Sequence, residues 1–180
     1  LRRRSHVPPR ERTERLRRFI VPILLLGLAG GAAASPLIAP APDPRSTGRP
    51  FTVHTLDGRT LRSSELRGRP LILGFWATWS SPSRASMPVL STMQGRYGGQ
   101  GLIVVGLSVD GESPQRVRGY ARSQRLLFPV AMASEAILDD YGPIRSLPTT
   151  ILIDRRGRIA RRIVGHLDAE TLEGFIREIL

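Results

Sequence analysis

The sequence predicts an α/β domain, a three-layer sandwich with helices on the faces of a mixed central sheet. Three observations point there. Two continuous apolar runs of strand length, PLILGFWA from Pro70 and GLIVVGLSVD from Gly101, read as central strands covered on both faces. Each is followed by a segment with helical signals. The chain then closes with TTILIDRRGRIARRIVG, two strands about a turn at Asp154–Gly157, and an amphipathic helix, DAETLEGFIREIL. Strand, helix, strand, helix, hairpin and helix in that order give a sheet that is parallel at its centre and antiparallel at one edge.

The elements follow in order from Phe51. FTVHTLDGRTLRSSELRG reads as two short strands about Asp57-Gly58, then a loop with a helical turn. After the first central strand, Ser83 to Tyr97 places Met87, Leu90 and Met93 at helical spacing and stops at Gly98-Gly99, with Pro88 expected to kink it. SPQRVRGYARSQR is a helix with Ser113 as cap and Pro114 at its first position. A short strand near FPVAM, a helical stretch from Glu135 to Tyr141 and the loop GPIRSLP lead into the hairpin, and Asp168 caps the last helix.

Residues 1–50 have a different character. Leu1 to Arg18 holds eight arginines against Glu11 and Glu14, and Phe19 to Ala34 is sixteen apolar or small residues without a charge. A basic lead, a short apolar run and Ala32-Ala33-Ala34 match an export signal cleaved after Ala34. The run is shorter than the roughly 20 residues that span a bilayer comfortably, so an uncleaved membrane anchor is the second reading. Either places the domain in the periplasm or on the outer face of the cytoplasmic membrane, with the arginines inside. The first residue is Leu rather than Met, so an upstream start is expected. Residues 35–50 are proline-rich and read as an extended linker, and the folded domain is expected over 51–180.

The formal charge is +12 and all 27 basic residues are arginine. From Pro36 onward nineteen arginines face thirteen acids, so the domain is only moderately basic. No aromatic residues interleave with the arginines in a stacking pattern, and nucleic-acid binding is not expected. Asp154 to Arg162 concentrates five arginines, which on a hairpin would project partly to one edge, as a solvated turn or toward an anionic lipid or acidic partner. There is no cysteine, which rules out disulfides, thiolate metal sites and thiol catalysis by this chain. No carboxylate pair, phosphate loop or metal-ligand spacing stands out, and no cofactor or metal is expected.

FWATWSSPSRASMP, VVGLSVD, LPTTILIDRRGRI and VGHLD together resemble the thioredoxin superfamily, and within it the TlpA/ResA-like exported thiol-disulfide oxidoreductases. The resemblance spans Phe51 to Leu180 and implies a thioredoxin-like fold with a cis peptide before Pro148. It also implies that the family's two cysteines fall on Ser80 and Ser83. A thiol at a helix N-terminus is lowered from about 8.5 into the range of roughly 3.5 to 7.5 and attacks disulfides as thiolate. Serine forms no disulfide, and as an oxygen nucleophile it needs a base. Of the histidines, His6 lies in the signal, while His54 and His166 show no triad-like partner in the sequence and read as ordinary histidines.

Two origins of the serines are open, deliberate replacement and natural loss. The retained N-terminal signal and the neighbouring Ser81 and Ser86 favour loss. The resemblance further implies a groove beside the turn and the proline loop, flanked by Trp76, Trp79, Pro82, Leu147 and Pro148, that takes an extended peptide in strand fashion. Trp76 as core and Trp79 as half-exposed packing is the plainer alternative for the two indoles. The expected function is thus a non-catalytic redoxin that binds a peptide or protein partner. The alternative is a thiol-disulfide oxidoreductase whose cysteines have been exchanged, or one that acts beside a cysteine-bearing partner.

Overall fold

The computed structural model describes residues 37–38, 47–111 and 113–180. The signal or anchor read over residues 1–34 lies outside the described residues. Among the described residues no helix is long and apolar enough to cross a membrane.

The described residues form eight strands and four α-helices. They are β1 (Leu37–Ile38), β2 (Thr52–His54), β3 (Thr60–Arg62), β4 (Leu71–Trp76), α1 (Ser81–Tyr97), β5 (Ile103–Ser108), α2 (Pro114–Ser123), β6 (Val130–Met132), α3 (Glu135–Tyr141), β7 (Thr149–Ile153), β8 (Ile159–Val164) and α4 (Ala169–Ile179). The main sheet runs β1-β8-β7-β4-β5-β6. β4 is parallel to β5, and β5 to β6, while β7 and β8 are antiparallel neighbours, so the centre is parallel and one side antiparallel as the element order predicts. β2 and β3 form a separate hairpin, joined to β6 through the Thr55–Ala131 bridge.

β4 and β5 are buried at every position, so alternation along them assigns faces rather than exposure. Ile72 and Trp76 of β4, with Val104 of β5 and Leu152 of β7, face a cluster completed by Met87, Leu90 and Met93 of α1, Val117 of α2 and Leu172 and Ile176 of α4. Leu71, Leu73 and Phe75 face the opposite cluster with Val105, Ile151, Ile137 and Tyr141 of α3, and Val53 of the hairpin. Gly74 and Gly106 lie opposite one another in the parallel ladder. A Cβ on Gly106 would stand 2.9 Å from Phe128 Cε2 and 3.3 Å from the Trp76 Nε1, so the absence of a side chain there lets two aromatic rings close on the sheet.

The boundaries differ from the sequence reading in two places. α1 begins at Ser81 rather than Ser83, because Ser80 caps it and Pro82 sits in its first turn, where a missing N–H costs nothing. Within the stretch read as a free linker, β1 pairs with Ile163 and Val164, Thr47 bridges Arg158, and the Gly48 N–H donates to the Gly157 carbonyl at 2.8 Å. The domain's hydrogen bonding therefore starts before Phe51. Pro88 lies inside α1 and leaves the Arg84 carbonyl without its helical donor. The Tyr120 hydroxyl of α2 supplies one instead, at 3.1 Å. Ser113 stands at the N-cap of α2 but makes no side-chain cap bond.

The five hairpin arginines do not gather on one edge. Arg158 pairs with Asp154, and Arg161 pairs with Glu178 while lying 4.4 Å over the Phe175 ring. Arg162 donates to the Tyr141 carbonyl, and Arg155 reaches the carbonyls of Gly68, Gln100 and Leu180. Four of the five are thereby folded back onto the domain, since a guanidinium satisfies several carbonyls at once.

Candidate functional site

The sheet register defines one pole of the domain. β4 ends at Trp76 where β5 ends at Ser108, and Phe75 lies opposite Thr149, so the segment before β7 stands beside the exit of β4. Thr149 is opposite Val164, which brings Gly165 and His166 to the same pole. The turn Ala77–Ser80 with the first turn of α1, Asp110, the loop through Leu147-Pro148 and His166 are thus gathered there from four separate parts of the chain.

The turn is rigidly held. Asp110 accepts from the Thr78 N–H at 2.9 Å, from the Thr78 hydroxyl and from the Ser108 hydroxyl at 2.7 Å. On its other side the Thr78 carbonyl accepts from the Arg84 guanidinium at 2.8 Å, which also reaches the Ser81 hydroxyl at 2.9 Å. Ser80 closes the helix: its Oγ accepts from the Ser83 N–H at 3.3 Å and its carbonyl from the Arg84 N–H at 3.0 Å. No acid sits in the first turn of α1, so the positive end of its dipole and the Arg84 guanidinium face this pole together. This is an environment that stabilises an anion at position 80, yet the residue there has no acidic proton to lose.

The two serines have different surroundings. Ser80 is 9% exposed and bonded as a cap, whereas Ser83 is fully buried and its hydroxyl has no hydrogen-bond partner among the described residues. A buried hydroxyl without a partner is costly, and a sulfur atom at the same place would lose far less by it.

Among the residues expected to flank a groove, Trp79 is 63% exposed, Pro82 is exposed, Leu147 is half-buried and Pro148 is buried. The Leu147–Pro148 peptide is cis. Pro148 uses its carbonyl to accept from the Gly165 N–H at 2.8 Å, and Ser146 accepts from the Thr149 hydroxyl. The N–H and C=O of Leu147, between them, have no partner among the described residues. Trp76 must be removed from the set. It is wholly buried against Tyr120, ring centroids 5.2 Å apart, with its Nε1 unpartnered among the described residues, so it packs in the core and offers no surface to a partner. Burial also pushes the Tyr120 hydroxyl above its ordinary range, which keeps it a neutral donor to Arg84.

The sequence reading missed one contact. The Ser86 Oγ, on the next turn of α1 after Ser83, lies 2.8 Å from the His166 Nδ1 across 80 residues of chain. The Ser86 hydroxyl also lies 3.1 Å from the Pro82 carbonyl, and the direction of the Ser86–His166 hydrogen bond follows the histidine tautomer. His166 thereby ties the segment after β8 to α1. His54 is bonded only to the Thr60 hydroxyl on its own exposed hairpin, as an ordinary histidine. No cluster of three or more metal-ligating side chains occurs among the described residues.

Comparison with known proteins agrees with this geometry. Residues 44–162 match the AhpC/TSA family. Thiol-disulfide oxidoreductase ResA of Bacillus anthracis is 32% identical over 130 residues, covering 72% of this chain and 74% of that protein. ResA of Geobacillus thermodenitrificans is 32% identical over 135 residues, covering 74% and 76%. The crystal structure of a thioredoxin-family thiol:disulfide interchange protein from Chlorobium tepidum superposes with a TM-score of 0.71 at 27% identity, over 74% of this chain and 95% of that one.

Proposed function

We propose, because the chain belongs to the AhpC/TSA family of thioredoxin-like proteins and carries no cysteine, that it is a non-catalytic redoxin which binds an extended peptide or protein segment at the pole of Trp79 and Leu147. The observation that carries the proposal is the unpaired Leu147 backbone beside a turn that Asp110 and Arg84 hold in place without any thiol. A strand laid along Leu147 would exchange two main-chain hydrogen bonds with it, and Trp79 offers the large apolar surface that anchors such contacts. Pro82, also exposed, completes the rim, and the buried Pro148 supports it from within. Export, with a signal or anchor over residues 1–34, belongs to the same proposal and is supported by the basic-then-apolar pattern of that segment. No cofactor takes part.

Calorimetric titration of the chain with reduced and alkylated insulin B chain tests this. Saturable binding that weakens about 30-fold in Trp79→Ala, or about 2 kcal/mol, is expected. Identical binding curves for both proteins would remove Trp79 and its pole from the function. A thiol-disulfide oxidoreductase with cysteines in place of Ser80 and Ser83 is the second reading, favoured by the Arg84 guanidinium and helix terminus that face position 80. It predicts activity only where thiols are supplied.

A further inference from the structure

The opposite pole, where β4 and β5 begin and β7 ends, holds a cavity of about 360 Å³ unrelated to the redox turn. Its lining includes Arg49, Arg67, Arg69, Arg155 and Arg156 and a single carboxylate, Asp154. That carboxylate is already occupied. It accepts from the N–H groups of Arg156 and Arg158 at 2.9 Å each and pairs with the Arg158 guanidinium at 2.8 Å. Arg155 and Arg69 are engaged with main-chain carbonyls. The guanidinium groups of Arg49, Arg67 and Arg156 have no partner among the described residues. Three guanidinium groups without a partner among the described residues thus belong to the lining of one concavity whose single carboxylate is spent, and a guanidinium fork is suited to carboxylate and phosphate oxygens.

The cavity is also lined by apolar side chains: Phe51, Leu66, Leu71 and Ile153 line it, with Tyr141. These side chains are all at least nine-tenths buried, and the Tyr141 hydroxyl is committed to the Arg49 carbonyl at 2.6 Å, so this part of the lining offers apolar carbon, while Thr47, Ser63 and Ser64 add hydroxyls elsewhere in it. The volume falls within the range of small-ligand pockets, about 300 to 1,000 Å³, and an apolar lining with a few convergent charges is their usual composition.

We infer that this pole binds a small organic anion with one carboxylate or phosphate head, held by Arg67 and Arg156, and a short apolar body lying over Phe51 and Leu71. The inference is independent of the peptide groove. It is tested by calorimetric titration of the full-length chain in a neutral detergent with octanoate, octyl phosphate, acetate and octylammonium, with Arg67→Gln/Arg156→Gln as the matched variant. Because neither guanidinium bonds to the described protein, the variant is expected to fold, which its circular dichroism checks. Saturation of one site by octanoate or octyl phosphate, with acetate at least tenfold weaker, octylammonium silent and a tenfold or greater loss in the variant, supports the site. Failure to saturate, equal affinity for acetate, or an unchanged constant in the variant overturns it.

Discussion

The two serines at the start of α1 should respond to the same substitution with opposite signs. Ser83 is fully buried and its hydroxyl is unpartnered among the described residues, so Ser83→Ala removes a desolvated polar group that costs about 1 to 3 kcal/mol by protein measurements. Deleting one oxygen leaves a void of roughly 15 Å³, worth about 0.4 kcal/mol against the variant at 24 cal/mol per Å³. Alanine is also the better helix former, by a few tenths of a kcal/mol inside α1. The net expectation is stabilisation of about 1 kcal/mol. Ser80→Ala loses the acceptor for the Ser83 N–H at 3.3 Å and is expected to destabilise by about 1 kcal/mol, the usual worth of an N-cap. Urea unfolding followed by circular dichroism reads both, and by heat each should move the midpoint by about 3 to 5 °C in opposite directions. Equal destabilisation by the two variants would refute the reasoning, because it would require a native partner for the Ser83 hydroxyl.

Further substitutions probe the supports of the turn and the core. Asp110→Ala removes the acceptor of three hydrogen bonds to the turn and the end of β5, and should cost about 2 to 3 kcal/mol in denaturant unfolding and weaken peptide binding with it. Gly106→Ala drives a Cβ to 2.9 Å from Phe128 and should cost about 1 to 3 kcal/mol by the same measurement. The Tyr97 hydroxyl, donating at 2.5 Å, and then Arg96 and Arg177 hold the Glu173 carboxyl below its ordinary 4.5. A depressed carboxyl stabilises the fold at neutral pH and loses that contribution as pH falls below 4.5 toward the lowered value. The acid limb of a stability–pH profile should therefore flatten in Glu173→Gln, and an unchanged limb would assign acid sensitivity elsewhere.

Much of the fold is written in local patterns. The apolar runs of β4 and β5, the Asp154–Gly157 turn, the Asp168 cap, which accepts from Thr171 at 2.8 Å, and the cis peptide before Pro148 all follow from short stretches or from the family resemblance they carry. Trp76 was open to two readings for a physical reason. In a strand covered on both faces periodicity carries no exposure signal, and only the close approach of Gly106 and Tyr120 shows that the indole belongs to the core. The Ser86–His166 contact and the arginine-lined cavity are non-local. Each exists because β7 and β8 run antiparallel beside β4, which sends the two ends of the hairpin to opposite poles, and no single stretch of sequence encodes that.

On the proposed reading the turn keeps its binding pole without its chemistry, and a matched pair of proteins separates the two. The wild-type chain and Ser80→Cys/Ser83→Cys are titrated with alkylated insulin B chain and assayed for reduction of insulin disulfides. The dipole of α1 and Arg84 should lower a thiol at position 80 well below about 8.5, so the variant should turn over while the wild type does not. Both should bind the peptide with dissociation constants within about threefold, since the variant changes no group on the exposed rim. Turnover by the wild-type chain, or binding that appears only in the cysteine variant, would contradict the claim.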